Sequence, residues 1–188
     1  MTETRLQYSI GDWVVHRQYG VGQVKKIEVK PIQGEQAKCF KVKTKDCLFW
    51  FPINKPNNPR VRRVASQEVV QKAIQVLRNK PCQLDTDKKH LKGQIDHVQS
   101  DGDVLAISKL IRDLSAQQAI RKLNHSEENA LGRFKERLLR EWAASMQIKV
   151  EKIRPILHAY LQESKSKIMI DDSNEKRPIL KSWRHTRS

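Results

Sequence analysis

The hydrophobic pattern of this chain changes at Ser66, and that change is the strongest constraint on its fold. Before Ser66, short runs of β-branched and aromatic residues alternate with turn residues, which is the pattern of strands. After it, apolar residues recur every three or four positions, as in helices that bury one face. Pro52, Pro56 and Pro59 precede the change, and proline ends strands. The sequence therefore predicts an α+β protein, with a small bent β-sheet or barrel followed by a compact all-helical domain.

Four runs in the first segment predict strands, at residues 13–15, 24–29, 39–42 and 47–51. Alternation in the last run places Trp50 on the opposite face from Phe49 and Phe51. Residues 44–46 are typical of a tight hairpin turn, and residues 30–38 of a longer loop. A sheet of this size is marginally stable alone, so we expect the helical segment to support it.

The second segment predicts four or five helices. Ser66 is the expected N-cap of the first, and Asn124 with Glu127 forms a capping-box pair ahead of a later one. Trp142 lies at helical spacing in that later helix and is expected in the core. Pro155 must kink or start the last helix, because proline has no N–H to donate.

The domains are predicted at residues 1–65 and 66–163, with a basic, flexible tail at 164–188, where helical periodicity is lost. The net charge of +16 favours an anionic partner, most often nucleic acid. Half of that charge, +8, belongs to residues 1–65. No long uncharged apolar run or signal-type segment occurs, so we expect no membrane partner and a cytoplasmic location.

The glycines Gly20 and Gly22 could begin a phosphate-binding loop, but their surroundings favour a turn between strands. The residues that follow are strand-like, so no helix N-terminus is available to hold a phosphate. No Gly-Lys-Ser/Thr of a P-loop, nucleophile elbow or kinase signature occurs. We therefore expect a protein that is not an enzyme.

The cysteines and histidines predict neither a disulfide framework nor a metal site. The three cysteines are odd in number and include no Cys-x-x-Cys, and the six histidines are scattered without ligand spacing. We expect reduced thiols, no metal and no cofactor.

Two groups of residues are candidates for binding. Lys88, Lys89 and Lys92 follow the break in the helical pattern and could neutralise phosphates without reading bases, although a solvated helix face explains them equally well. Trp50 could anchor a docked protein, since tryptophan is enriched at interface hot spots. Alternatively, a small bent sheet buries both of its faces.

Residues 8–42, "FPINK" from Phe51 and "SQEVVQKAIQVLRNKP" from Ser66 together resemble the bacterial CarD/CdnL family of transcription regulators. The order Gly-Asp-x-Val-Val, Gly-Val-Gly, Ile-Glu, Gly-Glu-Gln and Pro-Ile-Asn-Lys is more specific than any single piece. "GDVLAISKLIRDL" and "LNHSEENALGRFKERLLREWA" are similar to the helical half of that family. The resemblance covers roughly residues 8–145.

The resemblance implies a Tudor-like β domain that binds the β subunit of RNA polymerase, similar to a domain of the transcription-repair coupling factor. It implies a helical domain that contacts promoter DNA near the upstream edge of the melted region and helps the open complex persist. By position, Lys30, Trp50 and Pro52 match polymerase contacts. Lys88 and Lys89 match basic positions near the DNA backbone.

One position departs from that family. Its members typically place a tryptophan just before those lysines, as a wedge at the edge of the transcription bubble, and Thr86 stands near that point here. Threonine lacks the apolar surface that props a distorted minor groove. We therefore expect promoter contact at Thr86 and the lysines without the usual wedge.

The sequence thus supports two hypotheses. The first is a monomeric regulator that docks on the polymerase β subunit, associates with the nucleoid through it and modulates the open complex. The alternative is a stand-alone KOW- or Tudor-like RNA- or DNA-binding protein, a nucleic-acid chaperone that needs no polymerase. The charge of +8 on residues 1–65 favours the alternative, because docking on protein does not require so basic a segment.

Overall fold

The computed structural model describes residues 7–32, 34–54, 58–82 and 88–175, which form a five-stranded sheet followed by five helices. This arrangement confirms the predicted α+β class. The strands are β1 (Trp13–His16), β2 (Gly20–Ile32), β3 (Glu35–Thr44), β4 (Leu48–Pro52) and β5 (Val61–Arg63). The helices are α1 (Gln67–Arg78), α2 (Lys88–Asp101), α3 (Val104–Ile120), α4 (His125–Met146) and α5 (Val150–Glu175).

The sheet is antiparallel, with the strand order β4-β3-β2-β1-β5. Strands β2 and β3 form a long hairpin whose pairing continues to Ile32 opposite Glu35. The prediction of a loop at residues 30–38 was therefore wrong. Pro31 is tolerated there because β1 pairs with β2 only as far as Gln23, so the outer part of β2 is an edge.

One face of the sheet forms the core of the β domain. Phe49 and Phe51 are buried on it, whereas Trp50 is 37% exposed, which confirms the predicted alternation. Tyr8 closes this core, with its ring edge-on to Phe51 at a centroid distance of 5.5 Å. The other buried residues of this cluster are Val14, Val24, Phe40, Val42 and Val61.

Gly20 and Gly22 have different structural roles, the first in a turn and the second within a strand. Gly20 has a φ of +73°, a left-handed conformation that suits glycine, and it completes the turn into β2. Gly22 lies within β2, where an added Cβ would stand 2.6 Å from Val42 Cγ1. The expected turn is therefore confirmed at Gly20, and Gly22 allows close packing of side chains.

The helical core forms where α3 packs against α1, α4 and α5. Ser66 caps α1, and the Asn124–Glu127 capping box precedes α4, as predicted. Trp142 is buried and stacks on Tyr160 of α5 at 6.3 Å. Among the described residues, no helix combines the length and apolar character needed to span a membrane.

The last helix extends beyond the predicted boundary at residue 163. Ser164 is buried, and its hydroxyl donates to the carbonyl oxygen of Asn79 at 2.7 Å. Lys167 Nζ donates to the carbonyl oxygen of Arg78 at 2.6 Å. Residues 164–175 are thus helical, whereas the sequence predicted a flexible tail from Ser164; residues 176–188 lie outside the described residues. Polar contacts of Ser164 and Lys167 with the end of α1 hold the start of this part, so hydrophobic periodicity did not reveal it.

Candidate functional site

The predicted polymerase-binding residues lie at one edge of the sheet. Strand β4 pairs with β3 alone and so leaves one side of its backbone without a strand partner among the described residues. Trp50 lies opposite Lys41 of β3, on the face away from the aromatic core. The residue with the largest apolar surface on this strand therefore faces outward at an open sheet edge.

A carboxylate on β2, two strands away across β3, fixes the orientation of the indole ring. Trp50 Nε1 donates to Glu28 Oε2 at 2.9 Å, while Glu28 Oε1 accepts from Lys26 at 2.6 Å and from Lys41 at 3.3 Å. Hydrogen bonds from Lys26, first, and from Trp50 lower the pKa of Glu28 to about 2. Glu28 is therefore ionised at neutral pH, and its carboxylate connects side chains of β2, β3 and β4.

Two ammonium groups flank the same ring. Lys30 Nζ stands 4.8 Å from the ring centroid and Lys41 Nζ 5.5 Å from it, both within range of a cation–π contact. An oriented indole beside cations suits a protein partner that presents an apolar group next to carboxylates. We call Glu28, Lys30, Lys41, Trp50 and Pro52 the Trp50 surface.

The structure brings all three predicted polymerase contacts together. Lys30, Trp50 and Pro52 line one open hollow of ≈ 560 Å³, with Pro31, Leu48 and Arg60 on its other sides. Pro52 is half-buried and pairs with Cys39 at the end of β4. Sequence reasoning missed Glu28, because its role depends on the register between β2, β3 and β4.

The predicted DNA-binding lysines lie at the start of α2. The helix begins at Lys88, and Lys89 and Lys92 are exposed on it, whereas Leu91, Ile95 and Val98 face the core. A shallow hollow of ≈ 500 Å³ follows the exposed side and is lined by Lys89, His90, Gly93, Gln94 and His97. Thr86 lies outside the described residues. Sequence reasoning missed His90 and His97, whose spacing of seven residues places them on the same exposed side of α2.

A buried ion pair anchors the chain where it leaves α1 toward these lysines. Arg112 Nε donates to Asp113 Oδ1 at 2.7 Å, and both side chains are buried in α3. The same Asp113 oxygen accepts from the backbone N–H of Cys82 at 2.9 Å. The segment that precedes α2 thus starts from a fixed point.

No metal-binding cluster accompanies these surfaces in the described part of the chain. No group of three or more His, Cys, Asp and Glu side chains is placed there to hold a metal ion. The cysteines Cys39, Cys47 and Cys82 are free thiols.

Comparison with known protein families matches both halves of the chain. Residues 8–65 match the CarD-like/TRCF RID domain, and residues 72–158 match the CarD C-terminal domain. The first match covers the sheet, and the second runs from within α1 to within α5. Neither domain is known as an enzyme. The chain therefore belongs to the CarD/CdnL family, and it is an RNA polymerase-interacting transcription regulator.

Proposed function

We propose that this regulator docks on the β subunit of RNA polymerase through the Trp50 surface and contacts promoter DNA through α2. In this way it modulates the formation or stability of the open complex in the cytoplasm, as one copy per polymerase. The observation that carries the proposal is the indole of Trp50, oriented by Glu28 and flanked by Lys30 at an open sheet edge.

The Trp50 surface supports docking on protein for two reasons. Tryptophan in a fixed orientation loses little conformational entropy on binding, and such residues dominate interface energies. An edge strand can also pair its free backbone groups with an extended segment of a partner. β4 offers both features within five residues, Leu48–Pro52.

The basic face of α2 supports contact with DNA phosphates. Lys89 and Lys92 are exposed, and contacts of this kind give affinity that falls steeply with salt and does not depend on sequence. Since Thr86 replaces the expected tryptophan, the proposal assigns the effect on the open complex to phosphate contacts rather than to an apolar wedge.

Capture of core polymerase, and of its isolated β lobe, by the immobilised full chain tests the docking step. We expect Trp50→Ala to abolish capture while far-UV circular dichroism stays unchanged. Trp13→Ala is the matched control, because Trp13 is similarly exposed at 40% but lies away from the Trp50 surface. Full capture by folded Trp50→Ala would reject the docking role.

Open-complex lifetime on a defined promoter tests the DNA step. We expect the double variant Lys88→Ala with Lys89→Ala to lose the effect on lifetime and to keep polymerase capture. Lys72→Ala with Lys122→Ala removes the same charge from exposed positions elsewhere and should behave as the parent chain. Equal lifetimes for the two double variants would contradict the assignment of α2.

A further inference from the structure

A continuous groove runs between the two domains, on a part of the molecule that neither the Trp50 surface nor α2 lysines occupy. It consists of two open hollows of ≈ 810 and ≈ 480 Å³, which meet at Val21, Lys45 and Arg140. One wall is the sheet and its turns, and the other is α4 from Gly132 to Ala144, a length of about 18 Å at the helical rise. We call it the interdomain groove.

The lining of the interdomain groove is strongly cationic. Its basic residues are Arg17, Lys25, Lys43, Lys45, Arg133, Arg137, Arg140 and Lys149. Its acidic residues are Asp46 and Glu136, and Glu136 is already paired with Arg154 at 2.6 Å and Arg140 at 3.8 Å. Among the described residues, Arg140 alone of these cations has a carboxylate within ion-pair distance. The groove therefore attracts an anionic ligand.

Arg137, which lines the groove, also favours an anionic ligand. Its Nε is buried and has no hydrogen-bond partner among the described residues. Burial, and then repulsion from Arg62, lower the pKa of Arg137 despite the opposite effect of Glu141. Among the described residues Arg137 has no carboxylate within ion-pair distance, and such a half-buried cation is costly, so a bound phosphate would offset that cost.

Exposed aromatic rings accompany the cations. Trp13 is 40% exposed in the larger hollow, beside Lys25 and Lys43. Tyr19 is 46% exposed in the smaller hollow and stacks on His16 at 4.4 Å, which holds its ring flat. Cations along a groove with exposed rings are how proteins bind single strands, because unpaired bases stack on the rings while phosphates follow the charge.

We propose that the interdomain groove binds a short single-stranded segment of nucleic acid, with phosphates at Lys43, Lys45 and Arg137 and bases on Trp13 and Tyr19. Its length suits about four nucleotides, the lower end of known site sizes. In a duplex the bases stay stacked on one another. A duplex could therefore contact the cations with its phosphates but could not stack its bases on the two rings. The proposal goes beyond the proposed function and does not depend on docking to polymerase.

Fluorescence anisotropy with the full chain tests this proposal without polymerase. The probes are a labelled 12-nucleotide oligo-dT, the matching oligo-rU and a 20-base-pair duplex. We expect the single strands to bind more tightly than the duplex. The two single strands share the phosphate and base chemistry, and a preference between them identifies the natural source.

Three variants distinguish the contribution of the aromatic ring from that of the charge. Trp13→Ala should weaken oligo-dT binding about tenfold, and Trp13→Phe should restore most of it, because a ring is what stacking needs. Lys43→Ala with Lys45→Ala should weaken binding and reduce the slope of log affinity against log salt by about 1.4. Trp50→Ala and the pair Lys72→Ala with Lys122→Ala are the controls and should bind as the parent chain does.

The outcomes decide the proposal either way. Tighter binding of the duplex, or equal affinity of Trp13→Ala and Trp50→Ala for oligo-dT, would overturn it. Equal weakening of oligo-dT binding by Lys43→Ala with Lys45→Ala and by Lys72→Ala with Lys122→Ala would also overturn it, because affinity would then follow total charge alone. A Trp13→Ala chain that retains polymerase capture and loses oligo-dT binding establishes a site separate from the Trp50 surface.

Discussion

Arg62 and Glu141 join the two domains through a bidentate ion pair, with Nη1 to Oε1 at 2.5 Å and Nη2 to Oε2 at 2.9 Å. Glu141 is 1% exposed, and its Oε1 also accepts from the backbone N–H of Ala65 at 2.9 Å. Arg62 Nη2 donates further to the carbonyl oxygen of Gly102 at 2.6 Å. The ion pair between Arg62 of β5 and Glu141 of α4 therefore also holds Ala65, which precedes α1, and Gly102, which lies between α2 and α3.

Glu141→Gln removes the negative charge that compensates Arg62. We expect a loss of about 3 kcal/mol in the free energy of unfolding, the lower end for a broken buried pair, because Arg62 is partly exposed. Urea unfolding followed by circular dichroism measures it. Glu128→Gln, an exposed position in the first turn of the same helix, should shift the midpoint far less, because it loses only a helix-dipole contribution of at most about 1 kcal/mol. A midpoint shared by both variants would show that the pair does not couple the domains.

The contribution of Glu28 to stability should depend on pH in a defined direction. Its pKa falls from the ordinary 4.5 to about 2 on folding, so the stabilisation is fully present above 4.5 and is lost as pH falls toward 2. We expect the difference in unfolding free energy between the parent chain and Glu28→Gln to be constant from pH 7 to 5 and to shrink below 4.5. A titration midpoint near 4.5 for the Trp50 indole N–H resonance would contradict this.

The contacts of α5 with the end of α1 predict a stabilising role for residues 164–175. A chain ending at residue 163 loses the hydrogen bonds from Ser164 and Lys167 to carbonyl oxygens. We expect it to unfold with about 1–3 kcal/mol less free energy than a chain ending at residue 175, measured by urea titration. Equal stability of the two truncated chains would mean that these bonds add nothing net.

Two glycine substitutions should act in opposite directions. Gly22→Ala places a methyl group against Val42 and 3.0 Å from the carbonyl oxygen of Lys43, so we expect a loss of about 1–3 kcal/mol. Gly132→Ala meets no atom within 4 Å in the interior of α4 and should gain about 0.5–1 kcal/mol. Thermal unfolding of both variants compares them, and melting temperatures that move together would argue against the packing explanation.

Local sequence patterns were sufficient to predict the helices and strands whose positions are determined by the burial of apolar side chains. The alternation around Trp50, the caps at Ser66 and Asn124 and the burial of Trp142 follow from spacing alone. The errors arose where polar contacts decide. Residues 30–38 look like a loop because polar side chains and a proline hide the pairing of β2 with β3, and residues 164–175 lack an apolar stripe.

The candidate sites were predictable only in part. Outward strand phase singled out Trp50 and a charge cluster singled out the α2 lysines, because both are local signals, whereas Lys30 and Pro52 came only from the family resemblance. Glu28 was not predictable, since its contact with Trp50 is 22 residues distant and depends on a bulge between Val24 and Lys26. The interdomain groove is formed by elements from both domains, and no stretch of sequence contains it.

The contacts between α5 and the end of α1 have a consequence for the start of α2. The carbonyl oxygens of Arg78 and Asn79 lie at the end of α1, and both accept hydrogen bonds from α5. Three residues later, Cys82 is tied to Asp113 of α3. The end of α1, from which the chain continues toward the α2 lysines, is thus held partly by contacts with α5. A change in α5 can therefore alter the position of those lysines without lying next to them.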